Sequence, residues 1–176
     1  DMFAEMNKVK ELFIRFGGHK GAAGFSLEEK NIPLFRKRIN ELSPLSKEDL
    51  KTVYRAEMQL HVKGMTLELA KELALLEPCG MGNEKPLFCE KDLKIVSIWP
   101  LGKSGKGIKL TVIPKDRPGE PSLKREVLIF GNTEELMREM EAGDEIMLLF
   151  DLSVNVYNGR ESVQLKAKDY RVVKRG

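Results

Sequence analysis

DEIMLLFDLSVNVYNGRESVQLKAKDYRVV, residues 144–173, is the stretch on which the fold turns. It reads as one β-strand through Tyr157, a tight turn at Asn158-Gly159, and a second strand through Val173. Asn-Gly between two such runs is the strongest short-range hairpin signal, because both turn positions need φ > 0. Working upstream, NTEELMREMEAG predicts a helix between an Asn132 cap and Gly143. LKREVLIFG before it predicts a strand, and DLKIVSIWPLG predicts a strand paired with GIKLTVIP across the KSGK turn.

Three strands, a helix and two more strands follow the order of an OB-fold, a small Greek-key barrel. Spacing alone equally allows an unrelated β-barrel or an α+β sheet. Ahead of the barrel, PCGMGNEKPLF is a connection rich in Gly, Pro and Asn. TLELAKELALLEP predicts a helix capped by Thr66 and stopped by Pro78, and KTVYRAEMQLHV (residues 51–62) predicts a half-buried strand. Met2, Met6, Val9, Phe13 and Phe16 form one apolar stripe, which predicts a first helix ended by Gly17-Gly18. A short strand over AAGFSL and a second helix over residues 26–42 complete that unit. The expected architecture is α+β. Residues 1–46 are the end of an α/β unit, 47–86 a strand–helix connector packed on the barrel domain, and 87–176 the barrel. The chain opens DMFAEM without an initiator methionine, as expected of a piece of a longer protein.

With 41% hydrophobic and 32% charged residues, the composition is that of a soluble globular protein, neither disordered nor membrane-embedded. No apolar run is long enough to cross a bilayer. Cys79 and Cys89 are too few for a disulfide framework and lack the second pair a zinc site needs, so they read as idle thiols of a reducing cytosol. His19 and His61 stand far apart, with no metal-ligand cluster around either. Neither a phosphate-binding P-loop nor a nucleophile elbow is present, so the chain carries no visible catalytic machinery.

FIRFGGHKGAAGFSL, residues 13–27, is the one unusual stretch for chemistry. Glycines let backbone N–H groups face an anion without a Cβ in the way. His19 could donate to a phosphate oxygen or stack on a base, and Arg15 and Lys20 add positive charge. The competing reading is a helix C-cap with a tight helix–strand crossing, in which His19 is incidental. On the barrel, Lys94, Lys103, Lys106, Lys109 and Arg160 are interleaved with Trp99 and Tyr157. Cations that track phosphates and rings that stack on bases suit single-stranded nucleic acid. The plain alternative has Trp99 packed inside the barrel and the lysines serving solubility.

RFGGHKGAAGFSL resembles the GGH-x-x-AAG motif of the DHHA1 domain, the second half of DHH-family phosphoesterases. LLEPCGMGNEKPLF resembles the connector of the RecJ family, and NVYNGRESVQLKAKD resembles the end of its OB domain. The resemblance therefore runs through essentially the whole chain, in order. It implies the substrate-binding portion of a 5′-to-3′ single-stranded-DNA exonuclease of recombination and repair. Mn²⁺ or Mg²⁺ would be held by a DHH domain outside this chain, with no metal on the chain itself, which would be inactive alone. Gly17, Gly18 and His19 are implied to bind substrate, with Tyr157, Asn158 and Arg160 as further candidates. Where many relatives have His-Leu-Lys this chain has Gly107-Ile108-Lys109, so only Lys109 carries over. The implied partners are single-stranded DNA and a single-stranded-DNA-binding protein or helicase, with no membrane, in the cytoplasm. A non-catalytic OB adaptor for nucleic acid or protein is the alternative. A fragment of an alanyl-tRNA-synthetase-like editing protein is a third reading, which the OB stretch opposes.

Overall fold

A computed structural model describes residues 1–102 and 105–176, and the chain divides into two units, Asp1–Val53 and Tyr54–Gly176. In the first unit, α1 (Met2–Asn7) starts at Asp1, whose carboxylate accepts from the Ala4 N–H. A single 3-10 turn follows, and then β1 (Arg15–His19) pairs antiparallel with β2 (Ala22–Ser26). α2 (Ile32–Glu41) closes the unit.

The single helix expected through Phe16 is therefore wrong, and so is the Gly17-Gly18 cap. Phe-Ile-Arg-Phe-Gly-Gly is a poor helix former, whereas its aromatics suit a strand. As a strand, Phe16 stacks on Phe3 with ring centroids 4.9 Å apart. Phe13, beside it, reaches Phe25 at 4.6 Å and Phe35 at 5.6 Å. These rings and the fully buried Val9 make the small core of this unit.

The second unit begins with β3 (Met58–Gln59), two residues instead of the twelve expected, paired parallel with Phe88 and Cys89. Upstream the apolar residues gain no buried face: Val53 is 88% exposed. α3 (Leu67–Ala74) starts as expected at Thr66, whose hydroxyl accepts from the Leu69 N–H at 3.2 Å. The Arg125 guanidinium fastens the segment between β3 and α3. It donates to the carbonyls of Val62 (3.1 Å) and Met65 (3.2 Å), and to those of Ser122 and Lys124.

The barrel strands are β4 (Phe88–Pro100), β5 (Gly107–Pro114), β6 (Arg125–Phe130), β7 (Glu145–Tyr157) and β8 (Arg160–Lys174). β4 pairs with β5, β5 with β6, β6 in parallel with β8, β8 with β7, and β7 again with β4. Every strand of the five has two neighbours, so the hydrogen bonding traces a closed ring, the OB order. Leu93, Ile108, Leu110, Ile146, Phe150 and Leu165 fill it.

Between β6 and β7, α4 (Thr133–Glu139) is capped by Asn132 but stops four residues short of the expected Gly143. Met140 is extended and only 1% exposed, its side chain spent on the core. The buried Asp144 carboxylate then collects the Glu141 N–H, the Gly176 N–H and Arg175. Burial pushes the pKa of Asp144 up, but these donors outweigh it and leave it below the ordinary value. β4 carries a bulge between Glu90 and Leu93, opposite β7. Glu90, 2% exposed, satisfies the bulge by accepting from the Lys91 and Asp92 N–H groups, and also meets Gln59 and His61 (2.8 Å).

Candidate nucleic-acid interface

The register of the β1–β2 hairpin pairs Arg15 with Ser26, Gly17 with Gly24, and His19 with Ala22. Side chains alternate along a strand, so these three pairs share one face, and Phe16, Gly18, Ala23 and Phe25 share the other. Arg15 and His19 thus stand about 13 Å apart on an exposed ladder whose middle rung is bare backbone.

The two motif glycines have different physical reasons. At Gly18 (φ +152°) a Cβ would lie 2.4 Å from the Ala22 carbonyl oxygen and 2.6 Å from the Ala23 Cα, so close strand approach demands glycine. At Gly17, and at its partner Gly24, a Cβ would meet nothing within 4 Å. Nothing inside the fold requires those two glycines, and glycine weakens a strand. His19 Nδ1 accepts from the Gly21 N–H at 3.2 Å across the two-residue turn. With Nδ1 accepting, a neutral His19 carries its proton on Nε2, a donor at the turn end of the ladder next to Lys20. The helix-cap reading of this stretch falls with the helix.

On the barrel, register builds a row across four strands: Trp99 faces Lys109, Lys109 faces Leu128, and Leu128 faces Lys166. At strand spacing the row is about 14 Å wide. One step toward the β4–β5 loop, Phe130 faces Gly107. Trp99 and Phe130 are 62% and 61% exposed, so the reading that packs Trp99 inside the barrel is overturned. The Lys109 ammonium is 2.9 Å from the Glu126 carboxylate on β6. Phe130, Lys166 and Glu126 escaped notice in sequence. Only the alternation of LKREVLIFG, with Phe130 opposite in phase to Val127 and Ile129, could have exposed the ring.

Tyr157, Asn158 and Arg160 sit elsewhere. Ser153–Tyr157 and Arg160–Gln164 pair with each other and with no third strand among the described residues, forming an arm about 16 Å long. Its tip is the expected turn, with φ +49° at Asn158 and +74° at Gly159. Tyr157 is 73% exposed beside Arg160. Arg160 is six residues along β8 from Lys166, about 20 Å, so the tip and the Lys109 row are separate patches of one domain. Lys106 precedes β5, Lys94 lies toward the opposite end of β4 beside Glu145, and Lys103 falls outside the described residues.

A sequence profile of the RecJ OB domain matches residues 56–169. The chain belongs to the RecJ OB domain family. The RecJ single-stranded-DNA-specific exonuclease of Bacillus subtilis is 28% identical over 174 residues, which are 98% of this chain and 21% of that protein. The Thermus thermophilus RecJ of the same description is 36% identical over 83 residues, 47% of this chain and 12% of the relative. The chain thus spans about a fifth or less of these relatives. A crystal structure of T. thermophilus RecJ in complex with Mn²⁺ superposes with a TM-score of 0.67 at 25% identity, over 96% of this chain and 23% of that one. A second, in complex with Mg²⁺, gives 0.64 at 25% identity, over 98% and 26%. Among the described residues no three His, Cys, Asp or Glu side chains come together as a metal site. They also include no helix long and apolar enough to cross a membrane.

Proposed function

We propose that this chain is the strand-holding portion of a RecJ-type exonuclease that degrades single-stranded DNA from its 5′ end in recombination and repair. The observation that carries the reading is the RecJ OB match laid over a barrel whose outer row presents Trp99 and Phe130 with Lys109 and Lys166. Exposed rings offer stacking to any base, worth about 1–3 kcal/mol per base, and ammonium groups follow the phosphates. Residues 1–46 are the end of a DHHA1 domain in this reading. There Arg15, Gly17, Gly18, His19 and Lys20 cradle a phosphate on the bare rung, while Tyr157, Asn158 and Arg160 meet the strand at the tip of the arm. Hydrolysis belongs to a Mn²⁺ or Mg²⁺ centre built by sequence outside these residues. A single-stranded-DNA-binding protein or helicase as partner, and the cytoplasm as location, complete the proposal.

The test is a titration of labelled oligothymidylate with the chain, read by anisotropy at several salt concentrations. If Arg15, Lys20, Lys109 and Arg160 each neutralise one phosphate, log K falls with log salt at a slope of about −3. Affinity then drops about fiftyfold between ~50 and ~200 mM salt. Absence of binding at low salt, or binding indifferent to salt, would contradict the proposal.

A further inference from the structure

Lys109 occupies the middle of the exposed row, with Trp99 opposite on one side and Leu128 on the other. Its ammonium is already taken by the Glu126 carboxylate, 2.9 Å away and diagonal to it on β6. Side-chain exposures of 37% for Lys109 and 64% for Glu126 make this a wet, exchangeable pair. Such surface pairs contribute little and are readily displaced. A carboxylate and a phosphodiester each carry one negative charge, so they compete for one cation.

We propose that Glu126 is an affinity-setting residue of the barrel face: it competes with the DNA phosphate for Lys109 and re-forms its ion pair each time the strand leaves. The inference rests on the reading of this face as a single-strand site. A seated phosphate takes the ammonium, and the freed Glu126 recruits a salt cation. Net ion release on binding is reduced accordingly, and the strand is held loosely enough to move on. The arrangement suits a protein that must pass a strand along, since every nucleotide advanced requires a phosphate contact to break.

The experiment is a double-mutant cycle on the full chain, titrated with oligothymidylate at several salt concentrations. Glu126→Gln is expected to tighten binding about two- to fivefold, slow dissociation, and steepen the salt dependence. Lys109→Gln is expected to weaken binding and flatten that dependence by less than one full phosphate contact, because the cation uptake at Glu126 is lost with it. In the Lys109→Gln background, Glu126→Gln should have little further effect. Glu126→Ala, which removes the carboxylate without an amide, should reproduce Glu126→Gln. An equal gain from Glu126→Gln with and without Lys109 would reduce Glu126 to general repulsion and overturn the proposal. No gain from Glu126→Gln while Lys109→Gln still weakens binding would overturn it too, leaving the barrel face standing. If neither variant changes binding, the barrel-face reading itself falls.

Discussion

Replacing Gly18 and Gly17 by alanine, one at a time, separates structure from binding within two adjacent residues. The Gly18→Ala methyl would sit 2.4 Å from the Ala22 oxygen and 2.6 Å from the Ala23 Cα, both backbone atoms of the paired strand. Neither can rotate away, so β1 and β2 must separate or the residue must leave φ +152°. Overpacking of this kind costs about 1–3 kcal/mol, and unfavourable φ adds about 1 kcal/mol or more. Gly17→Ala meets nothing within 4 Å and needs no unusual φ. The smaller conformational freedom of its unfolded chain should leave stability unchanged or raised by about 0.4–1 kcal/mol. The first unit holds neither Trp nor Tyr, so its opening is best followed by amide hydrogen exchange in residues 13–27. Gly18→Ala should speed exchange there by a factor of about 30 or more, since 1.4 kcal/mol is tenfold. Gly17→Ala should keep native protection yet weaken oligothymidylate binding about tenfold or more, by standing a methyl on the rung where the phosphate would approach the backbone. Equal loss of protection in both variants would refute the distinction between the glycines. Native binding by a well-folded Gly17→Ala would remove the bare rung as a reason for Gly17.

Arg125→Met leaves the Met65 carbonyl without its donor and the Val62 carbonyl with only the Met65 N–H, so urea unfolding followed at Trp99 should show about 1–3 kcal/mol of lost stability. For Asp144, held below the ordinary carboxylate value, the contribution is complete above the unfolded pKa near 4 and is lost as pH falls through the lower folded pKa. Asp144→Asn should therefore be less stable at neutral pH, with the gap to the parent protein closing below about pH 4. Burial, and then the Glu139 carboxylate that accepts its hydroxyl hydrogen, raise the pKa of Tyr170. In an absorbance titration one of the three tyrosines should therefore ionise later than the others, and Glu139→Gln should bring it closer to them. Phe130→Ala, at a 61% exposed site, should spare stability and weaken binding about fivefold or more.

The barrel was legible wherever one local device decided the matter. Asn158-Gly159 set the arm's turn, and Thr66 and Asn132 capped their helices. Closure through β4–β7 and β6–β8 was recoverable only as an order of elements, because those pairings join residues far apart in sequence. The first helix failed because a stripe at helical spacing was satisfied by an aromatic cluster instead. The strand over residues 51–62 failed because alternation requires a partner, and only Met58 and Gln59 have one. At the candidate site, Gly17 and His19 stood out by composition. Gly24 and Glu126 became visible only through the strands opposite them.

The most direct test of the account uses the chain's only tryptophan, which lies on the proposed strand-binding face. Trp99 emission is followed while oligothymidylate is added, alongside a duplex of equal length. Stacking on a base predicts saturable quenching by the single strand, diminished by salt and much weaker with the duplex. Emission that stays constant while anisotropy shows the oligonucleotide bound would contradict it, since the strand would then be held elsewhere.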